Sequence, residues 1–194
     1  MQFLVASALL AGAAVAMPTH VQVASAVKAI ADANPDSCTA QSLRTSEWTL
    51  KDFDFHASYT FTTPAHQNSW GYVNFELANK NLDYNAKCSA TSGWLDSFFY
   101  GLINYNCTQP DGSLSQGSFN FSRGDNTLNI NQTWPCKEEG SRFYAQGGAK
   151  LPLDCTEEKW QNPDWQLGQI YSTRVITCKN VTMPLPFTSL AAIA

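Results

Sequence analysis

Charge is scarce in this chain. Asp, Glu, Lys and Arg make up 14% of its 194 residues, and the formal net charge is −4. So small a cationic component leaves neither a nucleic-acid backbone nor an anionic membrane as a natural partner. Histidine is scarcer still: His20, His56 and His66 are scattered, and no Cys-x-x-Cys pair accompanies them. No metal site and no cofactor is therefore expected. A copper-dependent monooxygenase would need a histidine at the mature N-terminus, and exposing His20 would require cleavage after Thr19, which signal peptidase disfavours. A G-x-S-x-G elbow is also missing, and the GSLSQGS run lies among turn formers without the strand-to-helix setting that a nucleophilic serine needs. There are no internal repeats and no linker, so one domain is expected.

The first apolar run, FLVASALLAGAAVA over residues 3 to 16, is shorter than the roughly 20 residues that cross a bilayer. It closes with Ala14, Val15 and Ala16, the small-x-small pattern of a signal peptide spanning 1–16. Export fixes the reading of the six cysteines, Cys38, Cys88, Cys107, Cys136, Cys155 and Cys178, because thiols in an oxidising compartment become bridges. Six cysteines allow 15 pairings. Sequence proximity favours Cys88 with Cys107 and Cys155 with Cys178, leaving Cys38 for Cys136. A secreted, extracellular protein with three disulfides is the expectation.

Residues 17–37 are Ala-rich, with Val23, Val27 and Ile30 at helical spacing and NPDS as a stop. They read as a mobile N-terminal arm with a turn or two of helix. From Trp48 the period changes to two: Trp48 and Leu50, Phe53 and Phe55, then Tyr59 and Phe61. Val73, Phe75 and Leu77 alternate in turn, as do Leu82, Tyr84, Ala86 and Cys88, with ANKN between them. A third strand is expected over Phe98 to Cys107. QPDGSLSQG and RGDN carry turn chemistry on either side of a strand bearing Phe119 and Phe121, and Leu128 and Ile130 mark its partner. Phe143 to Leu153 supplies a further strand with a bulge or bend at Gly147 and Gly148. TEEKWQNPDWQLGQ reads as a long polar loop before a last strand over Ile170 to Val181. The pattern predicts an all-β fold, a disulfide-stapled antiparallel β-barrel or sandwich of about eight to ten short strands over 38–182. Residues 183–194 read as a tail, apolar but without the polar spacer of a lipid-anchor signal.

Chemistry is thinly marked. Asp52, Asp54, Glu76 and Asp96 are carboxylates that a glycosidase could pair, with Asp52 and Asp54 expected to share a strand face, but a solvated surface explains all four. Four sequons make Asn131, Asn120, Asn180 and Asn106 candidate N-glycan acceptors in that order of preference, Asn106 being the poorest because Cys107 sits inside its sequon. Trp48, Trp70 and Trp134 occupy strand positions and are expected in the core. Trp160 and Trp165 lie in the polar loop and are the candidate binding surface, since aromatic faces can cover apolar sugar faces. A carbohydrate-binding or weakly glycosidase-like protein is the alternative they raise.

WTLKDF, WGYVNFELAN, LDYNAKCSA, a strand ending at Cys107, LNINQTWPC, RFYAQGGAKLPLDC and TCKNV, in that order between Cys38 and Thr182, resemble the fungal family typified by the Alternaria major allergen. The resemblance implies a small secreted β-barrel with no recognised catalytic site, so not an enzyme, and with roles in contact between fungus and plant, in phenolic-ligand binding and in allergenicity. It implies an effector-like or allergen-like factor whose partner is a host plant extracellular protein or a small phenolic ligand. The family's two intrachain disulfides fall on Cys88 with Cys107 and on Cys155 with Cys178. In the typifying allergen a cysteine matched by Cys38 links two protomers. Here the additional Cys136 can capture Cys38 within one chain, so a monomer is expected rather than a covalent dimer.

Overall fold

The computed structural model describes residues 20–94 and 97–194. The expected signal peptide, residues 17–19 of the arm, and Asp96 lie outside the described residues. Among the described residues eleven strands form one sheet. In chain order the elements are β1 (His20–Val23), α1 (Ser25–Ala33), α2 (Cys38–Arg44), β2 (Glu47–Thr63), β3 (His66–Ala78), β4 (Asn85–Ser92), β5 (Tyr105–Thr108), β6 (Leu114–Ser122), β7 (Thr127–Cys136), β8 (Ser141–Lys150), β9 (Cys155–Gln161), β10 (Ser172–Cys178) and β11 (Val181–Ile193). From β2 to β8 each strand pairs with the next. β11 then pairs with both β8 and β2, closing an eight-stranded antiparallel barrel.

Alternation fills the interior. Leu77, Phe75 and Val73 of β3 point inward beside Trp48, Leu50, Phe53 and Phe55 of β2, facing Phe119 and Phe121 of β6 and Trp134 of β7. The inward set of β2 changes parity between Leu50 and Phe53 because Asp52 is bulged out in the left-handed region, at φ 52°, and donates its N–H to Thr182 Oγ1. In β8, two strands from β2 around the barrel, Gly147 and Gly148 let strands meet closely. A Cβ on Gly147 would lie 2.2 Å from the Pro186 carbonyl oxygen, and one on Gly148 would lie 2.1 Å from that of Leu128. The polar core is small and satisfied: the Trp48 indole and the Asn79 amide both donate to buried Gln132 Oε1, each at 2.8 Å. Disulfides join Cys38 with Cys136, Cys88 with Cys107, and Cys155 with Cys178.

Four stretches depart from expectation. Residues 183–194 are no tail. Leu185, Phe187, Leu190 and Ala192 point inward from β11, and Pro184 and Pro186 take the outward positions, where alternation is preserved despite the missing donors. Residues 17–37 are not a mobile arm from His20 onward: β1 lies parallel to β11, and α1 buries Val27 completely. The run from Phe98 is a strand only over Tyr105–Thr108. Phe98 and Phe99 are consecutive and both buried, which an extended strand with a single inner face cannot achieve, so the chain turns at Phe98 (φ 60°) and Gly101 (φ 72°) to plug one end of the barrel. Gly71 leaves room for that plug, since a Cβ there would meet the Phe98 ring at 3.0 Å. Finally, the polar segment after Cys155 is not all loop: its first residues form β9, an outer strand on β10 with nearly every side chain exposed.

Candidate binding surface

β2 is 17 residues long, and its partners on one side change along its length. β11 pairs with its first half, from Glu47 to Phe53, and β10 pairs with its second half, from His56 to Phe61. The second half therefore carries a flap outside the closed barrel, in the order β3, β2, β10, β9. Strand register sorts the flap's residues between its two faces. Asn68, Trp70, Tyr72 and Asn74 of β3 share the outer face with Asp54, His56, Ser58 and Thr60 of β2, with Thr173, Val175 and Thr177 of β10, and with Glu158 and Trp160 of β9.

A strip of rings runs along this outer face. His56 and Tyr72 are opposite each other, with centroids 5.0 Å apart and planes 15° from parallel, and Trp70 leans on Tyr72 at 5.2 Å. The His56 Nδ1 lies 2.8 Å from Asp54 Oδ1 and 2.8 Å from the Tyr72 hydroxyl. Burial first, and then the charge and hydrogen bonding of Asp54, push the Tyr72 phenol above its ordinary value. Asp54 thus sits against both the imidazole and the phenol and helps to position His56 and Tyr72 before anything binds.

The reverse face of the flap is ionic. Arg174 lies over the Tyr59 ring at 4.8 Å and donates to both oxygens of Glu157, at 2.8 and 3.0 Å. Lys159 reaches Glu157 Oε1 at 2.8 Å. The Arg174 hydrogen bonds, with those of Lys159, hold the Glu157 carboxyl at about 2 instead of 4.5. A depressed carboxyl stabilises the fold above the ordinary carboxylate range, and that contribution fades as pH falls towards about 2. A carbon-13 titration of the Glu157 carboxyl should thus show a midpoint near 2, returning towards 4.5 in Arg174→Gln. A wild-type midpoint near 4.5 would mean that the pair is not held in solution.

The family model described as Alternaria alternata allergen 1 matches residues 50–178, more than half of the chain. The chain belongs to that family. The comparisons with curated proteins and with solved structures return no match. In this family member the matched stretch opens within β2 and closes at the end of β10, so it contains the whole flap. The closing strand β11 and the helices α1 and α2 lie beyond it.

The residues singled out from sequence are dispersed in this allergen-family fold. Trp160 stands on β9, 51% exposed, while Trp165 in the following loop turns onto Tyr171 at 5.7 Å and donates its indole N–H to the Gln169 carbonyl. Trp70, expected in the core, is 52% exposed, because it shares the parity of Asn74 rather than that of Val73. Asp52 and Asp54 are separated by the bulge and serve different partners, Thr182 and His56, and Glu76 accepts from the Asn85 amide. Asn180 lies exposed in the turn between β10 and β11, and Asn106 is exposed on β5. Asn131 is half-buried on β7, and Asn120 on β6 spends its amide on Asn104 and Asn129, each at 2.9 Å.

A cleft of about 740 Å³ opens beside the N-terminus of α2, with Asp36, Asp83, Glu138 and Glu139 among its walls. Cys38, Cys136 and Glu139 converge there, but the two sulfurs are bonded to each other and the Glu139 carboxylate accepts from the Cys38 N–H and the Thr39 hydroxyl. That grouping clamps α2 and provides no set of metal ligands. No helix among the described residues is long and apolar enough to cross a membrane.

Sequence reasoning missed the strip of His56, Tyr72 and Trp70. Its signal was present: a hairpin turning between Thr63 and His66 sets His56 opposite Tyr72.

Proposed function

We propose that this allergen-like protein is secreted and works by binding rather than catalysis, as an effector-like factor directed at a host extracellular protein or a small phenolic ligand. The observation that carries this reading is the filled interior: Trp48, Phe53, Phe55, Phe119, Phe121, Trp134 and Phe143 occupy the barrel where ligand-carrying barrels keep a cavity. Recognition therefore falls to the outside, where strands and disulfides hold aromatic and polar groups in place. Three disulfides support an oxidising extracellular setting. The bond from Cys38 to Cys136 occupies both thiols within one chain and supports a monomer.

The test is a pull-down from plant apoplastic fluid with the oxidised protein as bait, beside a reduced and alkylated control, together with tryptophan-fluorescence titration by a flavonoid. A partner or a quench that appears with the folded form alone is the expected result. Neither appearing, with the bait shown to be folded, would overturn the reading.

A further inference from the structure

The flap's outer face has a composition that neither a core nor an ordinary charged surface explains. Trp70 and Trp160 are each about half exposed on it, and single exposed tryptophans need no explanation. These two, however, stand at opposite sides of one four-stranded sheet. Thr173 faces Trp160 across β9 and β10, Val175 and Thr173 face Ser58 and Thr60 across β10 and β2, and Ser58 faces Trp70 across β2 and β3. Three strand spacings of about 4.8 Å, with a two-residue step along the strands, set the tryptophans roughly 16 Å apart. Between them lie only small side chains, three hydroxyls and one valine. The floor is uncharged, and Glu158 stands at its margin on the outermost strand.

We infer that this face binds an extended, uncharged, β-1,4-linked polysaccharide laid across the strands from Trp70 to Trp160. In such a chain the sugar rings present flat C–H faces and keep their hydroxyls around the rim. The two indoles would cover C–H faces, and the hydroxyls of Ser58, Thr60 and Thr173, with the Glu158 carboxylate, would meet the rim. An ionic ligand gains nothing from a floor without charge. A compact ligand could engage one tryptophan but not both. The Trp70 end is braced by Tyr72, itself held by His56 and Asp54, so little ordering is lost on binding there. This inference is independent of the host-protein and phenolic proposal.

The same chemistry is found in cellulose and in chitin, and the experiment separates them. The oxidised protein is incubated with microcrystalline cellulose and, separately, with chitin beads, and the bound fraction is measured over a range of polysaccharide. The comparison set is Trp70→Ala, Trp160→Ala, the double variant, and Trp165→Ala as a tryptophan loss in the loop outside the four strands. Near-UV circular dichroism checks that each is folded. Retention on either polysaccharide is expected, weakened about tenfold by each single change, as the loss of roughly 1.4 kcal/mol would give, and abolished in the double variant while Trp165→Ala binds as wild type. The polysaccharide that retains the protein names the source. No retention on either material, or equal retention by the folded double variant, would overturn the inference.

Discussion

Replacing Cys38 and Cys136 together by alanine should cost about 4 to 5 kcal/mol of folding stability, against roughly 3 for either other disulfide. Chain entropy sets the order: this bridge closes 98 residues, whereas the others close 19 and 23. The long bridge also ties α2 to the end of β7, where Thr39 and Ser141 share a buried hydrogen bond of 2.7 Å. In a domain of this size each kcal/mol moves the midpoint by about 2 to 4 °C, so a drop of about 8 to 20 °C is expected. Denaturant unfolding of the double variant beside Cys88→Ala/Cys107→Ala reads it directly. A smaller loss in the long-loop variant than in the short-loop one would show that contacts around α2, rather than the covalent link, hold that end of the barrel.

The second large effect is expected at Trp134. Its side chain is fully buried, stacks on Phe143 with planes 11° apart, and donates its indole N–H to Ser42 Oγ at 2.9 Å. Trp134→Ala combines a core cavity with the loss of that partner, for about 3 to 5 kcal/mol. Trp134→Phe keeps most of the apolar contact and forfeits chiefly the hydrogen bond, so about 1 to 2 kcal/mol is expected. Equilibrium urea melts of the two variants test this. Equal losses would place the energy in the hydrogen bond to α2 and not in the packing.

The barrel was legible wherever one face is buried and the other wet. Val73, Phe75 and Leu77 announce β3, and the break in spacing between Leu50 and Phe53 even contains the bulge at Asp52. Strands without that contrast were hidden. β9 shows alternation on neither face because it is the outer strand of a flap, and its polar residues read as loop. β11 has clear alternation, but its two prolines and its position at the end of the chain disguised it. Phe98 and Phe99 looked like strand because apolar runs do, yet two adjacent buried rings demand a turn.

The candidate surface was harder to read for a different reason. Its parts come from β2, β3, β9 and β10, and pairing β10 with the second half of β2 depends on β11 having taken the first half. Trp160 was visible as a tryptophan without a core. Its counterpart Trp70 was misplaced because aromaticity outweighed parity, and Trp165 finds its partner in the neighbouring Tyr171.

The seam where β11 meets β2 also governs the order of events during synthesis. Asp52 and Thr182 face each other 130 residues apart in the chain. No amount of early folding can complete the cylinder until the last strand has left the ribosome, and the nascent meander waits with the free edges of β2 and β8 open. A chain halted before residue 181 would keep both edges permanently available to neighbours, which is the condition for strand-to-strand aggregation. The thirteen residues of β11, Val181–Ile193, thus decide whether this sheet ends as a closed barrel or as an open ribbon that seeks other chains.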